Sequence, residues 1–129
     1  MSEVSKTQRT FLQSHGFTTL QTSNEVENIM SNLSGFTLLI ISSYKSSIIH
    51  EGVVKAISEN GGSINNLLSV FVDEDKAAAS KIFEYLPSVP RTFLGVAFFK
   101  NTEYVEFVRL LSEDVQGVSV KVTSTIQQL

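Results

Sequence analysis

A chain of 129 residues with 42% hydrophobic and 18% charged residues has the balance of a sequence that folds. It is long enough for one domain that buries roughly two thirds of the surface its unfolded chain would expose, without help from a disulfide or a metal. It contains no cysteine, which removes disulfides, thiolate metal ligands and redox thiols from the chemistry of the chain as written. A net charge of −3 argues against nucleic acid and against anionic membrane surfaces, since both need a dominant positive field.

The opening stretch, residues 1–15, mixes charges of both signs and holds no apolar run of signal-peptide length, so the expected location is the cytoplasm. The run Phe36 to Ile41 is a strand's length, far short of the roughly 20 residues of a membrane span. Without a linker or a repeat, the expectation is a single domain over residues 1–129, with residues 1–15 as an N-terminal helical extension.

Periodicity predicts a helix over Val4 to Ser14 and a short strand over Phe17 to Leu20. Thr22 and Glu25 have the spacing of a capping box, and Val26, Ile29, Met30 and Leu33 follow at helical intervals, with Gly35 as the stop. Phe36 to Ile41 reads as a central strand covered on both faces. A polar connection, Ser42 to Ser47, leads to a helix whose apolar stripe is Ile49, Val53, Ala56 and Ile57, ending at Asn60-Gly61-Gly62. Leu67 to Val72 is a second buried strand, and Asp73-Glu74-Asp75 supplies caps for a helix from Lys76 to Leu86, which completes a right-handed βαβ unit. Phe93 to Phe99 and Tyr104 to Val108, joined at Lys100-Asn101, read as an antiparallel hairpin. The C-terminal valines alternate as in a strand, but Val115, Val118, Val122, Ile126 and Leu129 recur at helical spacing, which favours a helix.

The order is that of an α/β fold: a central mixed β-sheet flanked by helices, with a C-terminal antiparallel hairpin and a terminal helix. It resembles the thioredoxin-like superfamily. Ser69-Val70-Phe71-Val72-Asp73-Glu74-Asp75 is similar to that family's second central strand and its acidic end, and Phe98-Phe99-Lys100-Asn101 to the strand and turn before its last strand. Within the superfamily the chain resembles the bacilliredoxin-like group. The likeness is carried by Gly16-Phe17-Thr18-Thr19-Leu20, Glu25-Val26-Glu27-Asn28 and Leu38-Leu39-Ile40-Ile41-Ser42-Ser43, within residues 16–115.

The resemblance implies thiol–disulfide exchange at the loop after the central strand, and here the chain departs from it. Aligned to Cys-X-X-Cys, the cysteine positions hold Ser43 and Ser46; aligned to the Cys-X-Cys of the bacilliredoxin-like group, they hold Tyr44 and Ser46. A serine hydroxyl is too weakly acidic for a helix end to ionise, so the expected protein is redox-inactive. The family's proline facing this loop, usually cis, has only Pro90 as its counterpart, about four residues early by the family pattern.

The Ser42–Ser47 loop is the leading candidate site, because open α/β sheets place ligands where a strand's carboxyl end meets a helix start. The plainer reading is a solvated connection in which Ser46 or Ser47 caps the helix. Tyr44 beside Lys45 is a common form of recognition anchor, and Arg91 next to Pro90 is expected to join Lys45 in a small basic patch. Ser43, Tyr44, Lys45, Ser46, Pro90 and Arg91 are thus the expected binding residues. The Ser-X-X-Lys spacing at Ser42 lacks the further motifs of serine enzymes that use it. His50, in its helix's first turn, is expected to be a neutral surface or semi-buried histidine, and with His15 the only other histidine and no spaced carboxylate pair beside either, a metal site is not expected. Neither a cofactor nor a metal site is expected. The expected function is a non-catalytic interaction module that receives a protein or extended peptide. Two alternatives stay open: a bacilliredoxin-like oxidoreductase in Cys→Ser form, and a structural domain, possible as a homodimer, associating through the apolar hairpin of Phe93, Phe98, Phe99 and Phe107.

Overall fold

The structure is a computed structural model, and it describes residues 2–129; Met1, the first residue of the expected N-terminal extension, lies outside them. Five strands form one sheet in the order β1-β3-β2-β4-β5: β1 (Thr18–Leu20), β2 (Phe36–Ser42), β3 (Asn66–Phe71), β4 (Gly95–Lys100) and β5 (Glu103–Arg109). β1 and β2 run parallel to β3, whereas β4 is antiparallel to both β2 and β5. Five α-helices cover the sheet: α1 (Glu3–Ser14), α2 (Ser23–Met30), α3 (Ser47–Asn60), α4 (Lys76–Phe83) and α5 (Val115–Ile126).

The alternation of side chains along β2 explains why its apolar run is unbroken. Leu39 and Ile41 point into the layer shared with α2 and α4, while Leu38 and Ile40 point into the layer shared with α1, α3 and α5, and all four are fully buried. Ile41 lies opposite Val70 on β3 and opposite Gly95 on β4, and Gly95 lies opposite Arg109 on β5. The ends of β2, β3 and β5 and the start of β4 therefore share one edge of the sheet. This is the mixed sheet expected from the order of elements.

Thr22 and Glu25 form the expected capping box. The C-terminal segment is helical, burying Val118, Val122 and Ile126 and leaving Val120 exposed. α3 and α5 touch at Gly52, where a Cβ would sit 2.5 Å from Val118 Cβ and 2.9 Å from the Val115 carbonyl oxygen. Among the described residues no helix is long and apolar enough to cross a membrane.

Three expectations need correction. The Asp73–Asp75 run does not cap α4 through its side chains: Asp75 occupies the N-cap position without a side-chain cap bond, and its carboxylate goes to Arg9 instead. α4 ends at Phe83 rather than Leu86, with the chain continuing through turn bonds from the Tyr85 and Leu86 amides to the Ile82 and Phe83 carbonyls. His50 is not at the surface but fully buried. Every described peptide bond is trans, the one before Pro90 included.

Candidate functional site

The site is built at the sheet edge where β2 ends. Ser42, the last residue of β2, is fully buried, and its Oγ lies 2.7 Å from Nε2 of His50 in the first turn of α3. The other ring nitrogen, Nδ1, is 2.7 Å from Oε1 of Gln8 on α1. An amide oxygen only accepts, so Nδ1 carries the proton and Nε2 accepts from the Ser42 hydroxyl. Burial pushes the His50 imidazole down to about 4, which keeps it neutral at physiological pH.

The chain then enters a tight loop. Ser43 donates its hydroxyl to Oδ2 of Asp73 at 2.6 Å, and the Tyr44 amide donates to Oδ1 of the same carboxylate at 3.2 Å. The Lys45 amide donates to Ser43 Oγ at 3.1 Å, and the Ser46 amide to the Ser43 carbonyl at 3.0 Å. One carboxylate at the end of β3 thus holds two consecutive loop residues, a role that capping had seemed to explain. Tyr44 is half-buried against the α3 and α5 layer, and Lys45 Nζ lies 5.6 Å from the Tyr44 ring centroid. Ser46 is the N-cap residue of α3 but makes no side-chain cap bond, contrary to the capping expectation.

Beside the loop lies a cleft of 270 Å³ between residues 45–49 and residues 111–113. Its apolar rim is Ile48, 49% exposed, and Leu111, 70% exposed. Glu113 closes one end; its carboxylate pairs with Lys121 and accepts from the Leu111 amide, and these contacts, Lys121 first, lower its pKa to about 2. Position alone hid these residues from sequence reasoning. Ile48 stands beside the buried stripe of α3, and Leu111 follows Leu110 just past the hairpin. The usable signal was the Leu110-Leu111 pair, of which the core takes only Leu110.

Pro90 and Arg91 are exposed in the segment entering β4, at the same sheet edge. Arg91 is held against α4, donating from Nη1 to the Ser80 carbonyl at 3.3 Å and to Ser80 Oγ at 3.1 Å, with its guanidinium 5.7 Å from the Phe83 ring centroid. Phe83 belongs to one core layer and Tyr44 packs on the other. The structure therefore brings Ser43, Tyr44, Lys45 and Ser46 together, and places Pro90 and Arg91 across the sheet edge on the α4 side.

Comparison with known proteins agrees with this architecture. A family model described as "Disulphide isomerase" matches residues 1–128. A bacilliredoxin of Halalkalibacterium halodurans is 30% identical over 120 residues, covering 91% of this chain and 81% of that protein. One of Staphylococcus haemolyticus is 26% identical over 136 residues, covering 99% and 94%. Mitochondrial thioredoxin 3 of Saccharomyces cerevisiae superposes with a TM-score of 0.62 at 12% identity over 92% of this chain and 99% of that one. A Fasciola hepatica thioredoxin gives 0.60 at 17% identity over 85% and 96%. At such identities the structural likeness speaks for the fold. The matched model spans nearly the whole chain, and the chain belongs to the bacilliredoxin (disulphide isomerase) family of thioredoxin-fold proteins.

Proposed function

We propose that this protein is a redox-inactive, cytoplasmic member of its family that uses the sheet edge to receive an extended peptide segment of a protein partner. The observation that carries the reading is the junction of a sulfur-free loop with an open, apolar-rimmed cleft. Ser46 together with either Ser43 or Tyr44, depending on the alignment, stands where exchange would need thiols, while Ile48 and Leu111 line the cleft beside them and stand exposed to water. An apolar side chain of the partner fills that cleft, and desolvating the two rim residues provides the affinity. Lys45 supplies a cation in the cleft's lining and Tyr44 an aromatic face next to it, and the clamp on Asp73 orders the loop before the partner arrives, which lowers the entropic cost of binding. Pro90 and Arg91 form the outer rim on the α4 side.

Affinity capture from the native cell tests this, comparing the natural chain with Tyr44→Ala/Lys45→Ala/Arg91→Ala and with Leu111→Glu. Both variants are expected to lose the recovered proteins while folding normally by circular dichroism. Recovery of the same proteins at the same yield defeats the proposal. In an insulin-reduction assay the protein is expected to give background turbidity only, and activity above background contradicts its redox-inactive half.

A further inference from the structure

We infer that α1 is a positioning helix for the proposed binding edge, its neighbouring side chains Gln8 and Arg9 each fixing one of the two loops that build it. The inference rests on the reading of that edge given above. The first route runs from Gln8 Oε1 to His50 Nδ1 and from His50 Nε2 to Ser42 Oγ, both at 2.7 Å, and Ser42 is the residue from which the Ser43–Ser46 loop departs. The second runs from Arg9 Nη2 to Asp75 Oδ2 at 2.5 Å. Asp75 lies two residues beyond Asp73, whose two oxygens hold the Ser43 hydroxyl and the Tyr44 amide. Both routes end on Ser43 and Tyr44, one through the stem of their loop and the other through its clamp.

Phe71 sits between the routes. The Arg9 guanidinium lies 4.8 Å from its ring centroid, and the His50 ring stacks on it at 5.5 Å. Consecutive residues of a helix point about 100° apart, so satisfying both side chains at once fixes the rotation of α1 about its own axis. Apolar packing adds Leu12, which is fully buried, and Phe11, which is partly buried in the same layer, while the other buried positions of α1, Ser5 and Arg9, are polar. Among the described residues Arg9 Nε has no hydrogen-bond partner, and the guanidinium is held by Asp75 and Phe71. A face made this way specifies position more than it adds adhesion.

The test uses the full chain and reads amide hydrogen exchange and amide resonances of Tyr44 and Lys45. Arg9→Met keeps a stem to cover Phe71 and removes the bond to Asp75; it is expected to speed exchange at Tyr44 about tenfold or more. Gln8→Leu is expected to shift the Ser43 and Tyr44 resonances. In both variants the Leu39 and Val70 amides, deep in the sheet, stay as in the natural protein. Val122→Ala on α5 is the structural control, expected to lower stability and leave Tyr44 and Lys45 unmoved. Unchanged loop amides in both α1 variants overturn the inference, as does an equal response in Val122→Ala. Should Arg9→Met fail to fold, Arg9→Lys, which keeps the charge without the planar fork, is expected to move the same amides in the same direction; no movement there overturns it too. The amide readout needs no partner. Failure of the peptide reading therefore leaves the amide response intact, whereas failure of the positioning role shows in the free protein.

Discussion

The contact between α3 and α5 sets the width of the cleft, since residues 45–49 lead into one helix and residues 111–113 into the other, and Gly52 is where that spacing can be tested. In an isolated helix, Gly→Ala is worth about 1 kcal/mol in favour of alanine. Here the new Cβ would meet Val118 Cβ and Cγ1 at 2.5 Å and the Val115 carbonyl oxygen at 2.9 Å. Carbon atoms rest about 3.5–4.0 Å apart, so the helices must separate by roughly 1 Å. Forcing an extra methyl into such a contact costs about 1–3 kcal/mol, which outweighs the propensity gain. Gly52→Ala is expected to be less stable than the natural protein by about 1 kcal/mol in urea unfolding at unchanged m value. Two companions sharpen the result. Gly62→Ala, where a Cβ meets nothing within 4 Å, is expected to be neutral or slightly stabilising. Val118→Gly is expected to couple with Gly52→Ala by about 1 kcal/mol in a double-mutant cycle, because it removes the nearest obstructing atoms. A Gly52→Ala protein more stable than its parent would mean that helix propensity acts unopposed, and the close approach of α3 to α5, with the cleft geometry built on it, would be refuted.

Acid should expose the buried imidazole. His50 is held at about 4 in the fold against 6.5 when unfolded, so the unfolded chain takes up its proton first as the pH drops. Its contribution to stability is whole above about pH 6.5, falls through the window down to about pH 4, and amounts to about 3 kcal/mol; an NMR titration of His50 centred near 6.5 would contradict this. Thr22→Ala removes the acceptor for the Glu25 amide and is expected to cost about 1 kcal/mol in urea unfolding; no loss would mean the capping box is not made in solution. In Ser43→Cys/Ser46→Cys, the thiol at the start of α3 is expected to be alkylated by iodoacetamide at neutral pH several-fold faster than the one beside Asp73. Equal rates would show that neither the helix end nor the carboxylate acts on this loop.

The elements whose pattern is local were legible in the sequence. The capping box at Thr22, the doubly buried run of β2 and the helical recurrence of Val118, Val122 and Ile126 each follow from residues a few positions apart, and each is found in place. What sequence missed depends on long-range pairing. Asp73 and Asp75 look like helix caps from their neighbours, yet their partners are Ser43, 30 positions away, and Arg9, 66 positions away. His50 reads from its neighbours as a surface or semi-buried residue, and its full burial is balanced by partners for both ring nitrogens, Ser42, eight positions earlier, and Gln8, 42 positions earlier. The loop residues of the site could be named from their place after the central strand. The cleft could not, because Leu111 reaches it only once β5 has returned to the edge where β2 ends.

The clamp on Ser43 bears on why this loop suits a hydroxyl. A neutral Ser43 keeps its proton and donates a hydrogen bond to the Asp73 carboxylate, with the loop amides of Tyr44 and Lys45 satisfied in the same arrangement. An ionised sulfur at that position would face the same carboxylate as a like charge; at about 4 Å and an effective dielectric near 20 that repulsion is about 4 kcal/mol. It opposes the stabilisation of roughly 0.3–1 kcal/mol that a helix end offers a nearby anion. Asp73 is exposed, so solvent reduces the repulsion, but its sign holds. The arrangement that orders this loop therefore works against a thiolate at position 43 and in favour of a neutral hydroxyl there.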